Sequence, residues 1–99
     1  MADVVATPRV RLAFRGEIDA ATARDGIALL MDANPSPGDT VTLDLSDVDF
    51  IDSSGVSMLL KMRSYLAGMG CRFALANPSP PVVRVLELLG LTETFTDDA

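Results

Sequence analysis

A chain of 99 residues, 48% of them hydrophobic, is long enough for one domain with a small two-layer core and too short for a second. Its net charge of -6, with 8 basic residues scattered singly, leaves no basic patch; nucleic acid and anionic membrane surfaces are poor partners, and a basic or neutral protein fits better. The single cysteine, Cys71, excludes an internal disulfide and suits a reducing cytosol, its plainest role being a small buried residue entering a strand.

The first residues, MADVVATPR, carry no cationic segment ahead of an apolar one, and no run approaches the ~18 apolar residues of a membrane span, so a soluble, cytoplasmic chain with a loose start over residues 1–7 is expected. Val10, Leu12 and Phe14 then alternate with Arg9, Arg11 and Arg15, the pattern of an edge strand with one buried face. Gly16 breaks it, and Thr22 with Asp25 three residues on predicts a capping box at the start of a helix whose inward stripe is Ala23, Ile27, Leu30 and Met31. The prolines of Asn34-Pro35-Ser36-Pro37-Gly38 end that helix.

Residues 41–55, VTLDLSDVDFIDSSG, are the centre of the chain. Val41, Leu43 and Leu45 recur with period two and predict a strand; Asp44, Asp47, Asp49 and Asp52 should gather at one rim of the sheet. After Ser53 the period becomes helical, so Ser53 and Ser54 fall where a strand's carboxyl end turns into a helix, the usual place for ligands and switches in an open α/β sheet. That helix should run from Ser53 to Gly68 with Val56, Leu59, Leu60, Leu66 and Ala67 inward and Ser54, Met58, Lys61 and Tyr65 toward the other side. Met58, Met62 and Tyr65 are either partner contacts or covered by a neighbouring helix. Arg63 falls inside the apolar stripe, its stem along the core and its head reaching out.

Residues 72–76, RFALA, read as a central strand covered on both faces. Ser79 caps a third helix with Pro80 at its first position, Val82, Val85, Leu86 and Leu89 inward and Gly90 past its end. Residues 92–95 add a little strand before a frayed acidic tail over 96–99. Strands separated by helices imply an α/β domain with a mixed sheet of about four to five strands and three main helices packed against it.

Much chemistry is missing. Without histidine there is no Ser-His-Asp triad and no histidine-containing metal site; no glycine-rich phosphate loop is present, and the spaced aspartates lack the central glycine and terminal glutamate of a calcium loop. No enzyme activity, cofactor or metal is expected. What remains is a pair of hydroxyls at a helix start. They cap the helix and do nothing else, or they accept a phosphate, which would sit on the positive end of the helix while adding about -1.5 to -2 charge.

Phe14-Arg15-Gly16-Glu17-Ile18-Asp19 with Thr22-Ala23, then Leu43-Asp44-Leu45, then Phe50-Ile51-Asp52-Ser53-Ser54-Gly55, in that order and spacing, resemble the STAS domain of bacterial anti-sigma factor antagonists. The likeness continues through Asn77-Pro78 and residues 82–91 to Phe95, so a single STAS domain over 1–99 is expected. It implies a partner switch. In such families the unphosphorylated antagonist binds an anti-sigma factor that is also a serine kinase of histidine-kinase-like ATPase fold, which frees a sigma factor. The kinase then phosphorylates the first serine of Asp-Ser-Ser-Gly, here Ser53, and the complex falls apart until a PP2C-type phosphatase removes the mark. The resemblance carries Asp19, Thr22 and Asp52 over as binding contacts beside Ser53, Ser54, Gly55 and Met58, with Ser54 the second candidate acceptor; ATP is the kinase's ligand. Ser57 and Met58 stand where smaller or more aliphatic residues are common. The alternative is a STAS interaction subunit of a lipid-transport complex or of a stress-sensing scaffold.

Overall fold

A computed structural model describes residues 9–96, so the expected loose start over 1–7 and the tail residues 97–99 lie outside the described residues. The elements run β1 (Arg9–Ile18), α1 (Ala20–Ala33), β2 (Thr40–Ile51), α2 (Ser53–Gly68), β3 (Arg72–Ala76), α3 (Pro80–Leu88) and α4 (Thr92–Thr96). Both strand pairs are parallel and the order is β1-β2-β3. The α/β architecture is as expected, but the described sheet has three parallel strands where four to five mixed strands were expected. The strand expected over residues 92–95 is the helical turn α4, because only Phe95 there needs burial, and one apolar residue in a turn suits a helix. Phe95 meets Phe73 edge to face, ring centroids 6.2 Å apart.

Within the described sheet β1 and β3 are the two edges and β2 the central strand. In register, Val10, Val41 and Phe73 share one face with Leu12, Leu43 and Leu75, while Arg11, Thr42 and Ala74 share the other. The first set packs in or against the core. Both β-α-β crossovers step the same way across the sheet, and with the usual right hand this puts α1 and α2 on one face, where they pack on each other.

The helices bury stripes that differ from the sequence patterns. In α1, Ala23, Gly26 and Leu30 are buried while Met31 is 47% exposed. In α2 the buried set is Gly55, Val56, Met58, Leu59, Met62 and Leu66, and Leu60 and Ala67 are exposed. Two neighbours, the sheet and α1, cover α2, so its inward face turns toward the methionines. Gly26 permits this: a Cβ there would stand 2.7 Å from Phe14 Cζ and 3.0 Å from Met58 Sδ. Arg63 donates from Nε to the Thr94 carbonyl of α4 at 3.1 Å, which accounts for a cation at the margin of an apolar stripe. In α3, Val82 and Leu86 are buried and Leu89, at the helix end, is 56% exposed. Ser79 precedes α3 as expected, yet its hydroxyl donates to the Val48 carbonyl at 2.6 Å and so ties the helix to β2. Cys71 is buried immediately ahead of β3. Among the described residues no helix is long and apolar enough to cross a membrane.

Candidate functional site: two aspartate-capped helix starts

β1 and β2 end side by side, Ile18 paired with Ile51, and each is followed at once by an aspartate and a helix. Asp19 is the N-cap of α1. Its carboxylate accepts from the Thr22 amide at 3.0 Å and from the Thr22 hydroxyl at 3.1 Å. The capping box expected at Thr22 and Asp25 is therefore displaced by one turn: Asp19 has the extended backbone that a cap needs, whereas residue 20 is already helical. The Glu17 carbonyl lies 3.0 Å from Thr22 Oγ1 and shares its single O–H with Asp19. Asp52 does the same for α2, accepting from the Gly55 amide at 3.1 Å. The Asp52 amide in turn donates to the Ile18 carbonyl at 3.2 Å and locks the two caps together.

Capping of α2 falls to Asp52 and not to the serines. Ser53 is the first residue of α2 and exposed, Ser54 is half-buried, and neither hydroxyl is bonded to another described residue. Gly55 is required for space: a Cβ would lie 2.5 Å from Ile51 Cγ1, 2.8 Å from Ile18 Cγ2 and 3.0 Å from the Ile18 carbonyl oxygen. The glycine lets the first turn of α2 press onto both strand ends and so fixes where Ser53 stands.

Two further expectations are corrected. Met58 is 1% exposed and Met62 likewise, so both belong to the core beneath α1 and not to the outer side of α2, with Met58 reaching the floor of the groove between the two helices. Nor do the four aspartates share one rim. β2 has 12 residues, and at about 3.3 Å per residue Asp44 and Asp52 are on the order of 25 Å apart. Asp44 sits in mid-strand against Arg11 at 2.9 Å, and Asp47 stands 3.9 Å from Arg15, both of that pair well exposed. Among the described residues no group of three or more His, Cys, Asp or Glu is placed to hold a metal ion.

Two features of the site region carry little mark in the sequence. Phe50 is 52% exposed, because β2 shifts register and turns Val48 and Ile51 inward with Asp49 and Phe50 outward; the three-residue step from Val48 to Ile51 was the available signal. Between α1 and α2 runs a groove of about 410 Å³, with Ala23, Arg24 and Ile27 on one wall and Ser53, Ser54 and Ser57 on the other.

A family model described as Mlab, STAS domain matches residues 3–96. The chain belongs to the STAS family. A curated relative, the STAS-domain containing protein PA14_20770 of Pseudomonas aeruginosa (strain UCBPP-PA14), is 34% identical over 53 residues, 54% of this STAS domain and 52% of that protein. The matched stretch thus spans about half of that relative's length. Among solved structures, the anti-sigma factor antagonist SpoIIAA in its unphosphorylated form superimposes with a TM-score of 0.68 and 29% identity, over 92% of this STAS domain and 80% of that chain. Family model and solved structure agree on the STAS fold.

Two hydrogen-bonded carboxylates, Asp19 and Asp44, give this STAS domain a pH signature. The Thr22 amide, then the Thr22 hydroxyl, hold the Asp19 carboxyl below the ordinary carboxylate value, and the Ser46 amide and hydroxyl, with Arg11, do so for Asp44. A carboxyl with a lowered folded-state pKa contributes stability that is present above the unfolded value of about 3.9 and lost as pH falls through the folded one. Thermal melts are expected to show Tm falling below about pH 4, and less steeply in Asp19→Asn; an identical slope in that variant would contradict the assignment.

Proposed function

We propose that this STAS domain is an anti-sigma factor antagonist whose docking is switched at Ser53. Unphosphorylated, it binds an anti-sigma factor that is also a serine kinase, and a sigma factor is freed. Phosphorylation of Ser53 dissolves the complex, and a PP2C-type phosphatase restores it. The observation that carries this reading is the exposed, unbonded hydroxyl of Ser53 at the first position of a helix already capped by Asp52. A phosphate there meets the free amides and positive end of α2, so it costs the fold little, while adding about -1.5 to -2 charge beside Asp52 and Asp19. A partner fitted to the unmodified surface is then repelled. Asp19, Thr22 and Asp52 hold the two helix starts in place and form the contact surface around Ser53; Gly55 acts from beneath by admitting the close approach. Ser54, half-buried, is the second acceptor. The domain performs no reaction of its own, and ATP belongs to the kinase.

Incubation with the anti-sigma kinase and ATP is expected to add one phosphoryl group, and Ser53→Ala to abolish this while retaining the complex. A phosphate mapped by peptide mass spectrometry to another region of the chain would contradict the proposal. A second reading, an interaction subunit of a lipid-transport complex or stress-sensing scaffold, stands because the matching family model is described by Mlab and not by a sigma-factor role. A pull-down with the Ser53→Ala protein separates the two: a kinase among the retained proteins supports the first, a transporter subunit the second.

A further inference from the structure

The groove between α1 and α2 continues past its serine end. Ile27 and Lys61 are shared with an adjoining hollow of about 240 Å³ whose other walls are Leu30, Met31, Met62 and Tyr65. One end of the combined channel is therefore hydroxylated and cationic, and the other apolar. The charge is unusual for its setting. In a chain of net charge -6, Arg24 of α1 and Lys61 of α2 line the same groove, and neither has an ion-pair partner among the described residues, whereas Arg11 and Arg15 have theirs. Met31 and Tyr65, at 47% and 42% exposed, leave the apolar end open.

We propose that this channel receives an amphipathic helix of the partner protein, its apolar side seated against Ile27, Met31 and Tyr65 and a carboxylate at its leading end held by Arg24 and Lys61. The inference rests on the partner-switching reading above and deepens it by naming the chemistry of the docking element. Residues 20–31 of α1 rise by about 16 Å at 1.5 Å per residue, the length of a three-turn helix laid alongside. Helical side chains lean toward their own amino terminus, so both cations lean toward the serine end. Ser53, Ser57 and Lys61 follow at intervals of four down one line of α2, all three lining the groove. A phosphate on Ser53 thus stands at the head of the same groove, where it repels the partner's leading carboxylate. Release is then repulsion within the groove.

The test uses two synthetic peptides of about 14 residues, each with leucines spaced i, i+3, i+4, i+7, one beginning with two glutamates and the other with two lysines. They are titrated into the ¹⁵N-labelled domain while amide shifts are followed. The glutamate peptide is expected to move amides of residues 20–31 and 53–65, to lose about tenfold in affinity in Arg24→Glu/Lys61→Glu, and to weaken likewise in Ser53→Asp. The double variant, shown to be folded by its own spectrum, is expected to prefer the lysine peptide. Equal binding of both peptides, shifts elsewhere, or no shifts would overturn the proposal. So would concentration-dependent self-association lost in Ile27→Glu, which would give the groove to a second copy. No kinase enters this experiment, so its failure leaves the Ser53 phosphorylation assay to be judged separately.

Discussion

Valine in place of Gly55 is expected to destabilise the domain by about 3 kcal/mol, measured as the change in unfolding free energy in urea. The first carbon of any side chain at this position lands 2.5 Å from Ile51 Cγ1 and 3.0 Å from the Ile18 carbonyl oxygen, and the second obstacle is backbone that cannot turn aside. Ile18 and Ile51 are themselves core residues at 0% and 3% exposure, so α2 must lift instead. Alanine should cost less, because its gain of up to about 1 kcal/mol in helix propensity offsets part of the clash. Gly68, at the other end of α2, is the control: nothing lies within 4 Å of a Cβ there, and Gly68→Ala should be close to neutral. An unchanged urea midpoint for Gly55→Val would show that α2 does not press on the strand ends as described, and the placement of Ser53 would lose its structural basis.

Ser53→Asp is expected to weaken binding to the anti-sigma kinase by tenfold or more, with the stability of the free domain unchanged. The aspartate adds one negative charge at the first position of α2, where the helix end tolerates it, whereas across an interface a like-charge juxtaposition costs several kcal/mol. A phosphate, at about -1.5 to -2 charge, should act more strongly still. Titration calorimetry against the kinase recovered with Ser53→Ala measures the difference. Affinity undiminished in Ser53→Asp would remove charge as the agent of release.

What could be seen in the sequence was the junction itself. The alternation of Val41, Leu43 and Leu45 giving way to helical spacing located the start of α2 at Ser53 and its end at Gly68, both as found. Which residue caps that helix was not legible, since aspartate and serine are nearly equal as caps and stand in adjacent positions. Nor was the fate of Met58 and Met62. A wheel drawn through the leucines buries Leu60 and Ala67, and only the arrival of α1 over Gly26 turns the methionines inward. The aspartates looked gathered because they are close in sequence, yet a 12-residue strand draws such a run out along its length. Residues 72–76 are apolar enough for a central strand; their small alanines, only half-buried, instead form the described sheet's edge. Arg24 and Lys61 are ordinary surface cations until the fold sets their helices face to face.

The most direct test of the central claim is a calorimetric titration of one preparation against the anti-sigma kinase in three states: as purified without phosphate, after phosphorylation, and after treatment with a PP2C-type phosphatase. Tight binding, lost on phosphorylation of Ser53 and regained on its removal, is the expected result. Equal affinity in all three states would contradict the claim that this hydroxyl controls docking.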